Sequence, residues 1–381
     1  AFPRAGEALP WSLPDDFPLD LVLDLGFFGG EKNGSLSGIG VAEYSTNGLV
    51  FICRADRLWA VPCRVKLPDL SFKDTILFEI LFLGTSASAP SAKRGLSAQI
   101  VKHDEYRFLV DCGEGTQRQI LQSGTGFKNL TKILLTHGHL DHILGLGGLL
   151  STFLRWEAIE ELDIFGGRST LDRVNALVYD VVLRGNQPPM PLTLHEIKPG
   201  TFFEADDFTI TAFPVTHRGP DCLGYIFEGK ARRPFLPEKA DALGVPFGPE
   251  RRILVEGGSI SLPDGKRVTP DDVLGPLTKG SKLVIVGDTG RTDNLLEVAK
   301  DADALVIEST YLEEEAEMAS QFSHMTARGA AELAVKANVK KLILTHISRR
   351  YREKDVIKEA QAVFPNAVVA RDFDTFQVKR E

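Results

Sequence analysis

Cysteine is scarce in this chain, and no apolar run is long enough to cross a membrane. Four cysteines occur among the 381 residues without a C-x-x-C pair, which excludes a disulfide framework and a zinc ribbon. We therefore expect a reducing compartment, the cytoplasm first, with an organelle or the nucleus left open. The apolar stretch 19–28 is interrupted by Asp20 and Asp24, so the sequence predicts no transmembrane helix and no membrane partner.

Positive charge and histidine are also limited. The formal net charge is −8, which argues against a protein that binds nucleic acid indiscriminately, so any RNA contact must use a local basic patch. Hydrophobic residues make up 43% of the chain, enough to bury a large core. Only eight histidines occur, so a cluster of them is informative.

One segment concentrates metal-binding side chains. The sequence Thr136-His137-Gly138-His139-Leu140-Asp141-His142 follows the apolar run 133–135. A buried strand that ends there carries imidazole and carboxylate groups into a loop, where they can converge on cations. The alternating pair His137 and His139 can bind one ion, and Asp141 and His142 can bind a second. A chance gathering of histidines is the simpler alternative, and the density of the pattern argues against it.

The chain divides into an N-terminal extension and a larger domain. Residues 1–75 combine early prolines, a Gly-rich turn and apolar runs at 19–25, 49–53 and 58–65, which predicts a small β-rich extension. Residues 76–381 alternate strand-like and helical segments, as is typical of a layered α/β domain. The predicted strands are 77–83, 108–111, 132–135, 208–213, 283–286, 304–307 and 342–344. The predicted helices are 146–156, 170–183, 327–337 and 356–364.

Polar residues follow several of these strands. Asp111, His137, Asp288, Glu308 and His346 each stand at or just after the end of a predicted strand. Strand ends meet at one edge of an α/β fold, where such folds place their sites. The sequence therefore predicts that these side chains lie together.

Residues 228–271 interrupt the alternation. Basic residues are spread there among Pro and Gly, including the turn Gly244-Val245-Pro246-Phe247-Gly248-Pro249. Such a segment predicts a protruding arm rather than core. Its composition fits a solvated insertion and a contact with a phosphate backbone equally well.

Further candidate ligands lie outside the dense cluster. His217, His324 and His346 occur in polar, turn-flanked settings, whereas His103 and His195 do not and are predicted to be ordinary surface residues. Asp288 lies between glycines and can bridge two ions. Taken singly, each of these residues is more often a satisfied polar group or a turn cap. Together they predict one ion held by His137, His139 and His217, a second held by Asp141, His142 and His346, and Asp288 shared between them.

The order of these motifs resembles that of the metallo-β-lactamase superfamily and, more narrowly, that of the ribonuclease Z family. The resemblance runs from about residue 77 to the C-terminus. The narrower match rests on Phe82-Leu83-Gly84-Thr85-Ser86, Asp111-Cys112-Gly113-Glu114-Gly115-Thr116-Gln117, Glu308 followed by Tyr311-Leu312-Glu313-Glu314-Glu315-Ala316, His324-Met325-Thr326-Ala327, and Leu344-Thr345-His346-Ile347-Ser348 with Arg350-Tyr351. It implies a four-layer αβ/βα sandwich of two mixed β-sheets flanked by helices, with a two-zinc site along one edge.

The resemblance also implies an activity and a set of residue roles. The family removes the 3′ trailer from precursor tRNA, commonly as a homodimer. The seven ligands proposed above match its metal site, which takes two Zn²⁺ ions, although Mn²⁺ or Fe²⁺ accepts the same ligand types. His324 and Glu308 resemble the family's His/Glu pair beside the metals.

Substrate contacts are implied at three places. The arm, through Gly244, Pro246, Gly248 and Pro249, resembles the family's tRNA-gripping exosite. Arg94 lies near the substrate entrance, although Gly95 follows it where Asn is usual, and Leu140 replaces a usual Gly. Arg350 and Tyr351 are candidates for phosphate contact, with a surface salt bridge and hydrogen bond as the alternative.

The predicted reaction is hydrolysis of the phosphodiester after the discriminator nucleotide of tRNA. Two zinc ions lower the pKa of a shared water toward neutrality, Asp141 orients it, and His324 protonates the departing 3′ oxygen. Two alternatives stay open. One is another metallo-β-lactamase-fold phosphodiesterase acting on a small or cyclic nucleotide, and the other is a non-catalytic RNA-binding relative.

Overall fold

The structure, a computed structural model, describes residues 39–42, 51–54, 78–156 and 159–380. The chain divides into two units, Ala1–Phe72 and Lys73–Glu381. In the first unit the described residues form one antiparallel pair, strands β1 (Ile39–Ala42) and β2 (Phe51–Arg54). The strand predicted at 49–53 overlaps β2, and those predicted at 19–25 and 58–65 lie outside the described residues.

The second unit contains two seven-stranded mixed sheets. Strands of the first sheet are β3 (Phe78–Gly84), β4 (Ala98–His103), β5 (Tyr106–Val110), β6 (Lys132–Leu134), β7 (Leu162–Gly166), β8 (Leu192–Glu196) and β18 (Thr375–Val378). Their order in space is β18-β3-β4-β5-β6-β7-β8. Strands β5 to β8 run parallel to one another, and the remaining pairings are antiparallel.

The second sheet has the same mixed character. Its strands are β9 (Gly200–Glu204), β10 (Phe208–Pro214), β11 (Leu223–Gly229), β14 (Lys282–Ile285), β15 (Ala304–Glu308), β16 (Leu342–Thr345) and β17 (Ala367–Val369). Their order in space is β17-β16-β15-β14-β11-β10-β9. Strands β14 to β17 are parallel to one another, so their carboxyl ends meet at one edge.

The described residues also form helices. They are α1 (Thr116–Gln122), α2 (Leu140–Ile143), α3 (Leu146–Trp156), α4 (Arg168–Asn175), α5 (Pro237–Ala242), α6 (Pro249–Val255), α7 (Pro270–Val273), α8 (Leu296–Ala299), α9 (Ala316–Gln321), α10 (Ala327–Lys336) and α11 (Glu353–Gln361). Of these, α1, α3 and α4 pack on the outer face of the first sheet and α10 and α11 on that of the second. A π-helical stretch (Ala176–Val182) continues α4, and a short 3₁₀ turn (Glu313–Glu315) precedes α9. Among the described residues no helix is long and apolar enough to cross a bilayer.

Alternation along the strands builds the layers. In β3, Phe78 and Phe82 pack into the core between the sheets, whereas Leu81 and Leu83 pack under the helices of the first sheet. A third core lies between the second sheet and the helices α10 and α11. Because successive side chains point to opposite faces, a sheet buried on both sides needs near-continuous apolar strands. The predicted four-layer sandwich is confirmed.

Each predicted strand is present, but half of the strands in the two sheets were not predicted. The seven predicted strands coincide with observed strands to within two residues at either end, and the helix predicted at 170–183 is α4 together with the π-helical stretch. Sequence reasoning missed β4, β7, β8, β9, β11, β17 and β18. The side chains of β8 and β9 are half-buried or exposed and give no apolar run.

The prediction for His103 is wrong. Its side chain is only 6% exposed, its ring packs against Phe78 and Phe208, and its Nε2 lies 2.7 Å from Asp207 Oδ2. An aromatic pocket with a carboxylate at its rim lets a histidine be buried on the inward side of a strand. His195, by contrast, remains partly exposed.

Candidate metal centre

The carboxyl ends of strands from both sheets supply the predicted site residues. In the second sheet, β14, β15 and β16 are parallel neighbours that lead to Asp288, Glu308 and His346. In the first sheet, β5 leads to Asp111 and β6 leads to His137. Parallel strands whose ends meet at one edge bring these side chains together, as the sequence predicted.

Four ligand atoms converge on the side of the centre formed by His137, His139 and His217. His139 Nδ1 lies 2.9 Å from His137 Nε2 and 3.3 Å from His217 Nε2. Asp288 Oδ2 lies 3.7 Å from each of those two Nε2 atoms. Ligands of a tetrahedral zinc ion with bonds of about 2 Å stand about 3.3 Å apart. These atoms therefore have the spacing of a metal-ligand set.

The other oxygen of Asp288 belongs to a second set with Asp141, His142 and His346. Asp288 Oδ1 lies 3.5 Å from His142 Nε2 and 3.3 Å from His346 Nε2. Asp141 Oδ2 lies 3.8 Å and 3.5 Å from the same two nitrogens. Asp288 thus offers one oxygen to each set, as a bridging ligand must.

Three buried atoms of the second set lack a hydrogen-bond partner among the described residues. They are His142 Nε2, Asp288 Oδ1 and His346 Nε2. A buried polar atom without a partner costs about 1–3 kcal/mol, so such atoms are rare. A cation would satisfy all three, and imidazole nitrogen with carboxylate oxygen is a donor set that borderline divalent metals accept. The residues present fit a metal-binding site.

Asp111 fixes the rings on the first-sheet side of the centre. Its Oδ2 lies 2.8 Å from His142 Nδ1, and it also accepts from the backbone N–H and hydroxyl of Thr136. Thr136 Oγ1 in turn lies 3.1 Å from His137 Nδ1. A proton held on Nδ1 leaves the lone pair of Nε2 for a metal. Asp111 has φ of 58°, a strained conformation that surrounding structure maintains at functional sites.

We expect Asp111→Asn to weaken metal binding roughly 10- to 100-fold, because the amide no longer holds the His142 ring by an ionic hydrogen bond. Titration against a competing chelator measures the affinity. Asp163→Asn is the matched control, since Asp163 accepts a hydrogen bond from His195 at 2.7 Å in a pair near the start of β7. Equal metal affinity in the two variants would contradict the role of Asp111.

Glu308 fixes the rings on the second-sheet side. Its two oxygens lie 2.9 and 3.1 Å from His324 Nδ1, and one of them accepts the backbone N–H of Thr289. Thr310 Oγ1 donates to Glu308 and lies 2.9 Å from His346 Nδ1, from which it can accept. One buried carboxylate therefore orients His324 directly and the candidate ligand His346 through a hydroxyl.

A hydrogen bond joins the loop of His217 to the loop of His324. His217 Nδ1 donates to the carbonyl oxygen of Ser323 at 2.7 Å, and the two histidine rings have centroids 5.0 Å apart. His324 Nδ1 lies 3.9 Å from Asp288 Oδ2. His324 could therefore share a cation with Asp288 and His346 by distance alone. The hydrogen bond between His324 and Glu308 uses Nδ1, the same nitrogen that lies near Asp288. The other ring nitrogen, Nε2, takes no part in that bond.

Burial and the nearby carboxylates set the protonation of the histidine rings in the centre. Burial lowers the pKa of His137 well below its usual value and lowers the pKa of His139 to about 4, so both rings are neutral and able to bind metal near pH 7. Burial also opposes charge on His142, but Asp288 and Asp111 outweigh it and raise the pKa of that ring. For His324, Glu308 outweighs burial and raises the pKa, which suits a proton donor.

Two glycines let backbone segments approach the metal loop. A Cβ added at Gly113 would lie 2.4 Å from the carbonyl oxygen of Asp141, and one added at Gly287 would lie 2.9 Å from the Cβ of Thr136. Both distances are shorter than packed atoms allow. Larger residues at these positions would displace the segments that carry the donor atoms.

Two clefts meet at His324. The metal-side cleft, about 290 Å³, is lined by Ser88, His139, Leu140, Asp141, Arg218, Asp288 and His324. The outer cleft, about 730 Å³, has His324 at its wall and Arg291, Leu296 and Lys336 among its lining. Volumes of this size accommodate nucleotide-sized groups.

The predicted arm is an insertion that folds on itself. Glu228 and Gly229 still belong to β11, and residues 230–281 contain α5 to α7 and the short antiparallel pair β12 (Ile260–Ser261) and β13 (Arg267–Val268). Val245, Leu254 and Val273 are buried. The insertion therefore has apolar contacts of its own.

The turn 244–249 is rigid and presents an aromatic ring. Gly244 and Gly248 have φ of 75° and 139°, values that L side chains rarely adopt. Arg251 is 7% exposed, donates to the carbonyl oxygens of residues 245 and 246, and places its guanidinium 5.2 Å from the ring centroid of Phe247. Phe247 itself is 72% exposed.

Four of the eight basic side chains of the predicted arm, 228–271, form ion pairs with acidic side chains. The pairs are Lys230–Glu204, Arg233–Asp271, Arg251–Asp241 and Arg252–Glu256. At least half of the positive charge of the arm is therefore balanced within the protein.

Two of the other predicted substrate contacts, Arg94 and Arg350, have internal partners. Arg94 donates to Thr85 Oγ1 and to the carbonyl oxygen of Ala370, each at 2.6 Å, and to Glu353 at 2.9 Å. These bonds brace Arg94 within the protein, and its contact with substrate stays a prediction. Arg350 forms the alternative surface salt bridge, with Glu315 at 3.1 Å. The Tyr351 hydroxyl is buried and has no hydrogen-bond partner among the described residues, so it does not face an open site.

Sequence reasoning missed the supporting roles of Asp111, Thr310 and Ser88. The sequence predicts Asp111 only as a polar residue at a strand end, although its place in the motif Asp-Cys-Gly-Glu-Gly-Thr is a signal for a role at the site. Thr310 follows Glu308 by two residues and so faces the same side of the extended chain. The backbone N–H of Ser88 donates to Asp141 Oδ2 at 2.9 Å, which no side-chain pattern reveals.

Comparisons with known proteins agree with this fold and site. The family model described as "Beta-lactamase superfamily domain" matches residues 106–237 and 253–347, which is more than half of the chain. Ribonuclease Z from Bradyrhizobium diazoefficiens is 46% identical over 298 residues, covering 78% of this chain and 99% of that protein. Ribonuclease Z from Archaeoglobus fulgidus is 41% identical over 309 residues, covering 80% of this chain and 98% of that protein.

Solved structures share the fold. The short form of human tRNase Z aligns with a TM-score of 0.54 at 24% identity and covers 78% of this chain and 98% of its own. The metallo-β-lactamase fold protein YhfI from Bacillus subtilis aligns with a TM-score of 0.57 at 19% identity, covering 80% and 100% of the two chains. With two named relatives above 40% identity along nearly their full lengths, the chain belongs to the ribonuclease Z family of the metallo-β-lactamase superfamily.

Proposed function

We propose that this protein is a metal-dependent endoribonuclease that removes the 3′ trailer from precursor tRNA. It cuts after the discriminator nucleotide and leaves a 3′-OH on the tRNA and a 5′-phosphate on the trailer. The observation that carries the proposal is the pair of donor sets that share Asp288, with the His324–Glu308 pair beside them. The relatives named ribonuclease Z support tRNA as the substrate.

Two Zn²⁺ ions are the proposed cofactors, with Mn²⁺ or Fe²⁺ as alternatives that accept the same ligands. His137, His139 and His217 would hold one ion, Asp141, His142 and His346 would hold the other, and Asp288 would bind both. When bound, the ions supply positive charge for the phosphate and a water activated near neutral pH.

Asp141 is the proposed positioning group for the attacking water. The N–H of Ser88 holds Asp141 Oδ2 at 2.9 Å, and the carboxylate forms part of the metal-side cleft. A carboxylate fixed at one oxygen can accept a hydrogen bond from water and aim it at phosphorus. The water oxygen forms the new bond to phosphorus, and the bond to the ribose 3′ oxygen breaks.

His324 is the proposed proton donor to the departing 3′ oxygen. Glu308 holds its Nδ1–H, so Nε2 carries the transferable proton, and the raised pKa keeps the ring protonated further toward neutral pH. His324 lines both clefts, which supports a role for its proton at the RNA bond that is cleaved.

The insertion is the proposed tRNA grip, acting through the turn with Gly244, Pro246, Gly248 and Pro249. Four of the eight basic side chains at 228–271 are held in ion pairs, and the exposed Phe247 ring offers a stacking surface. We expect Phe247→Ala to raise KM for precursor tRNA roughly 10-fold, since stacking on one base is worth about 1–3 kcal/mol. Hydrolysis of a small diester should not change.

Leu277→Ala is the matched control for Phe247→Ala, because Leu277 is 69% exposed and lies outside the turn 244–249. Steady-state kinetics with both substrates separate the effects. Parallel losses on precursor tRNA and on the small diester would show that Phe247 acts on the fold or the centre and not on tRNA.

A homodimer is the proposed assembly, with the arm of one subunit serving the site of the other. The resemblance to the ribonuclease Z family supports this assembly, and Leu140, Leu144 and Val181, which are 59%, 43% and 65% exposed, are apolar side chains that a partner subunit would cover. Light scattering of purified protein measures the mass of the assembly and so tests for a homodimer.

The proposed location is a reducing compartment, the cytoplasm. Cys112 and Cys222 are free thiols, which supports it.

A cleavage assay tests the proposed function. The metal-loaded protein is incubated with a 3′-extended precursor tRNA and, separately, with bis(p-nitrophenyl) phosphate, and the ends of the RNA products are mapped. We expect one cut after the discriminator nucleotide. Turnover of the small diester alone would replace tRNA processing with a small-molecule phosphodiesterase, and turnover of neither with metal bound would indicate a non-catalytic relative.

A further inference from the structure

The metal-side cleft contains one guanidinium group. Arg218 is the single Arg or Lys among the described residues that line this cleft, and it directly follows the candidate ligand His217. Its side chain is exposed. Its guanidinium carbon lies 5.7 Å from the centroid of the Phe322 ring. Arg94 and Arg350, by contrast, form ion pairs with carboxylates.

Contacts between the loop of His217 and the loop of Phe322 position the guanidinium of Arg218. The hydrogen bond from His217 Nδ1 to the carbonyl oxygen of Ser323 ties the residue before Arg218 to the residue after Phe322. The ring of Phe322 is 38% exposed and supports the cation by a cation–π contact. Arg218 is therefore placed by the same hydrogen bond that orients a metal ligand.

The cleft leaves this cation available for an anion. Its acidic side chains, Asp141 and Asp288, belong to the donor sets, and neither forms an ion pair with Arg218 among the described residues. A guanidinium offers a planar fork of N–H donors that matches two phosphate oxygens. A phosphodiester that enters to reach the donor sets must pass beside it.

We propose that Arg218 binds the scissile phosphate and stabilises it as cleavage proceeds, an inference that rests on the proposed phosphodiester hydrolysis. Attack by water adds negative charge to the non-bridging oxygens, and a fixed donor that meets this charge lowers the barrier. Arg218 transfers no proton. Water supplies the oxygen that bonds to phosphorus and releases one proton to solvent. His324 supplies the proton that the ribose 3′ oxygen accepts, and solvent then returns a proton to His324.

Kinetics with two substrates test the reaction step. Arg218→Met keeps an apolar stem against Phe322 and removes the charge, and Arg218→Lys keeps the charge without the fork. We expect Arg218→Met to lower kcat/KM about 10²- to 10³-fold on precursor tRNA and on bis(p-nitrophenyl) phosphate alike, with partial recovery in Arg218→Lys. Metal content should stay at the wild-type level. Arg168→Met is the matched control, because the Arg168 side chain is 70% exposed and lies on α4 with acidic partners.

Binding of inorganic phosphate tests the site without any turnover. Calorimetry on the metal-loaded protein should show phosphate binding that weakens roughly 10- to 100-fold in Arg218→Met. An unchanged Kd, no phosphate binding by the wild type, or a wild-type rate on the diester in Arg218→Met would each overturn the inference. Cleavage of the small diester alone by the wild type would rule out tRNA processing as the function. In that case the rates of Arg218→Met on the diester and its affinity for phosphate would still test the role of Arg218.

Discussion

Replacing Asp288 by Asn is expected to lower kcat/KM for precursor tRNA on the order of 10³-fold or more. Its two carboxylate oxygens each face one donor set, and both sets also need its negative charge. The amide keeps the volume but offers one oxygen and one N–H₂ donor, so one set loses its ligand. Bound metal supplies several kcal/mol of charge stabilisation, and each 1.36 kcal/mol is about tenfold in rate.

Metal content distinguishes this effect from a loss of folding. Asp288→Asn should lose bound metal, measured by elemental analysis after dialysis, while circular dichroism stays native. Asp303→Asn is a control matched in burial, since Asp303 is 5% exposed and pairs with Lys340 and Arg380 away from the centre. That control should lose stability and keep its metal. Full metal content together with full activity in Asp288→Asn would refute the bridging role.

Replacing His324 by Ala is expected to lower kcat on precursor tRNA about 10²- to 10⁴-fold with metal content intact. The ribose 3′ oxygen is a poor leaving group and needs the proton that His324 Nε2 provides. A p-nitrophenolate leaving group needs no such proton, so hydrolysis of bis(p-nitrophenyl) phosphate should fall far less. This contrast separates His324 from Arg218, whose loss should slow both substrates.

His195→Ala is the control for His324→Ala. His195 forms a hydrogen bond with Asp163 at 2.7 Å, a His–carboxylate pair like that of His324 and Glu308 but outside the centre. Its replacement should leave both rates unchanged. Loss of metal from His324→Ala, or equal losses on the two substrates, would assign His324 to the ligand set instead.

The sequence predicted the parts of the fold that local patterns encode. Buried strands such as β6 and β15 appear as apolar runs because both of their faces are covered, and the polar residues that follow mark their ends. Seven strands were missed. Among them β8 and β9 are half-exposed and have no such pattern, whereas β4 and β11 are largely buried but carry polar residues or glycine among their apolar ones. His103 was misplaced because the aromatic pocket that buries it comes from strands distant in sequence.

The candidate ligands were predictable because histidine is scarce and the first cluster is dense. Their supports were not, because each joins residues far apart in the chain. Asp111 meets His142 across 31 residues, Thr310 meets His346 across 36, and Arg94 meets Glu353 across 259. One sequence without coordinates has no signal for such pairs. The same limit hid Arg218, whose partner ring and cleft are set by another loop.

The most direct test of the two-ion centre is an anomalous-scattering crystal structure of the metal-loaded protein. Two peaks are expected about 3.5–4 Å apart, the spacing of two-metal hydrolytic sites. One should lie among His137, His139 and His217, the other among Asp141, His142 and His346, with an oxygen of Asp288 toward each. A fully active, fully loaded enzyme with a single peak, or with peaks remote from Asp288, would contradict the account.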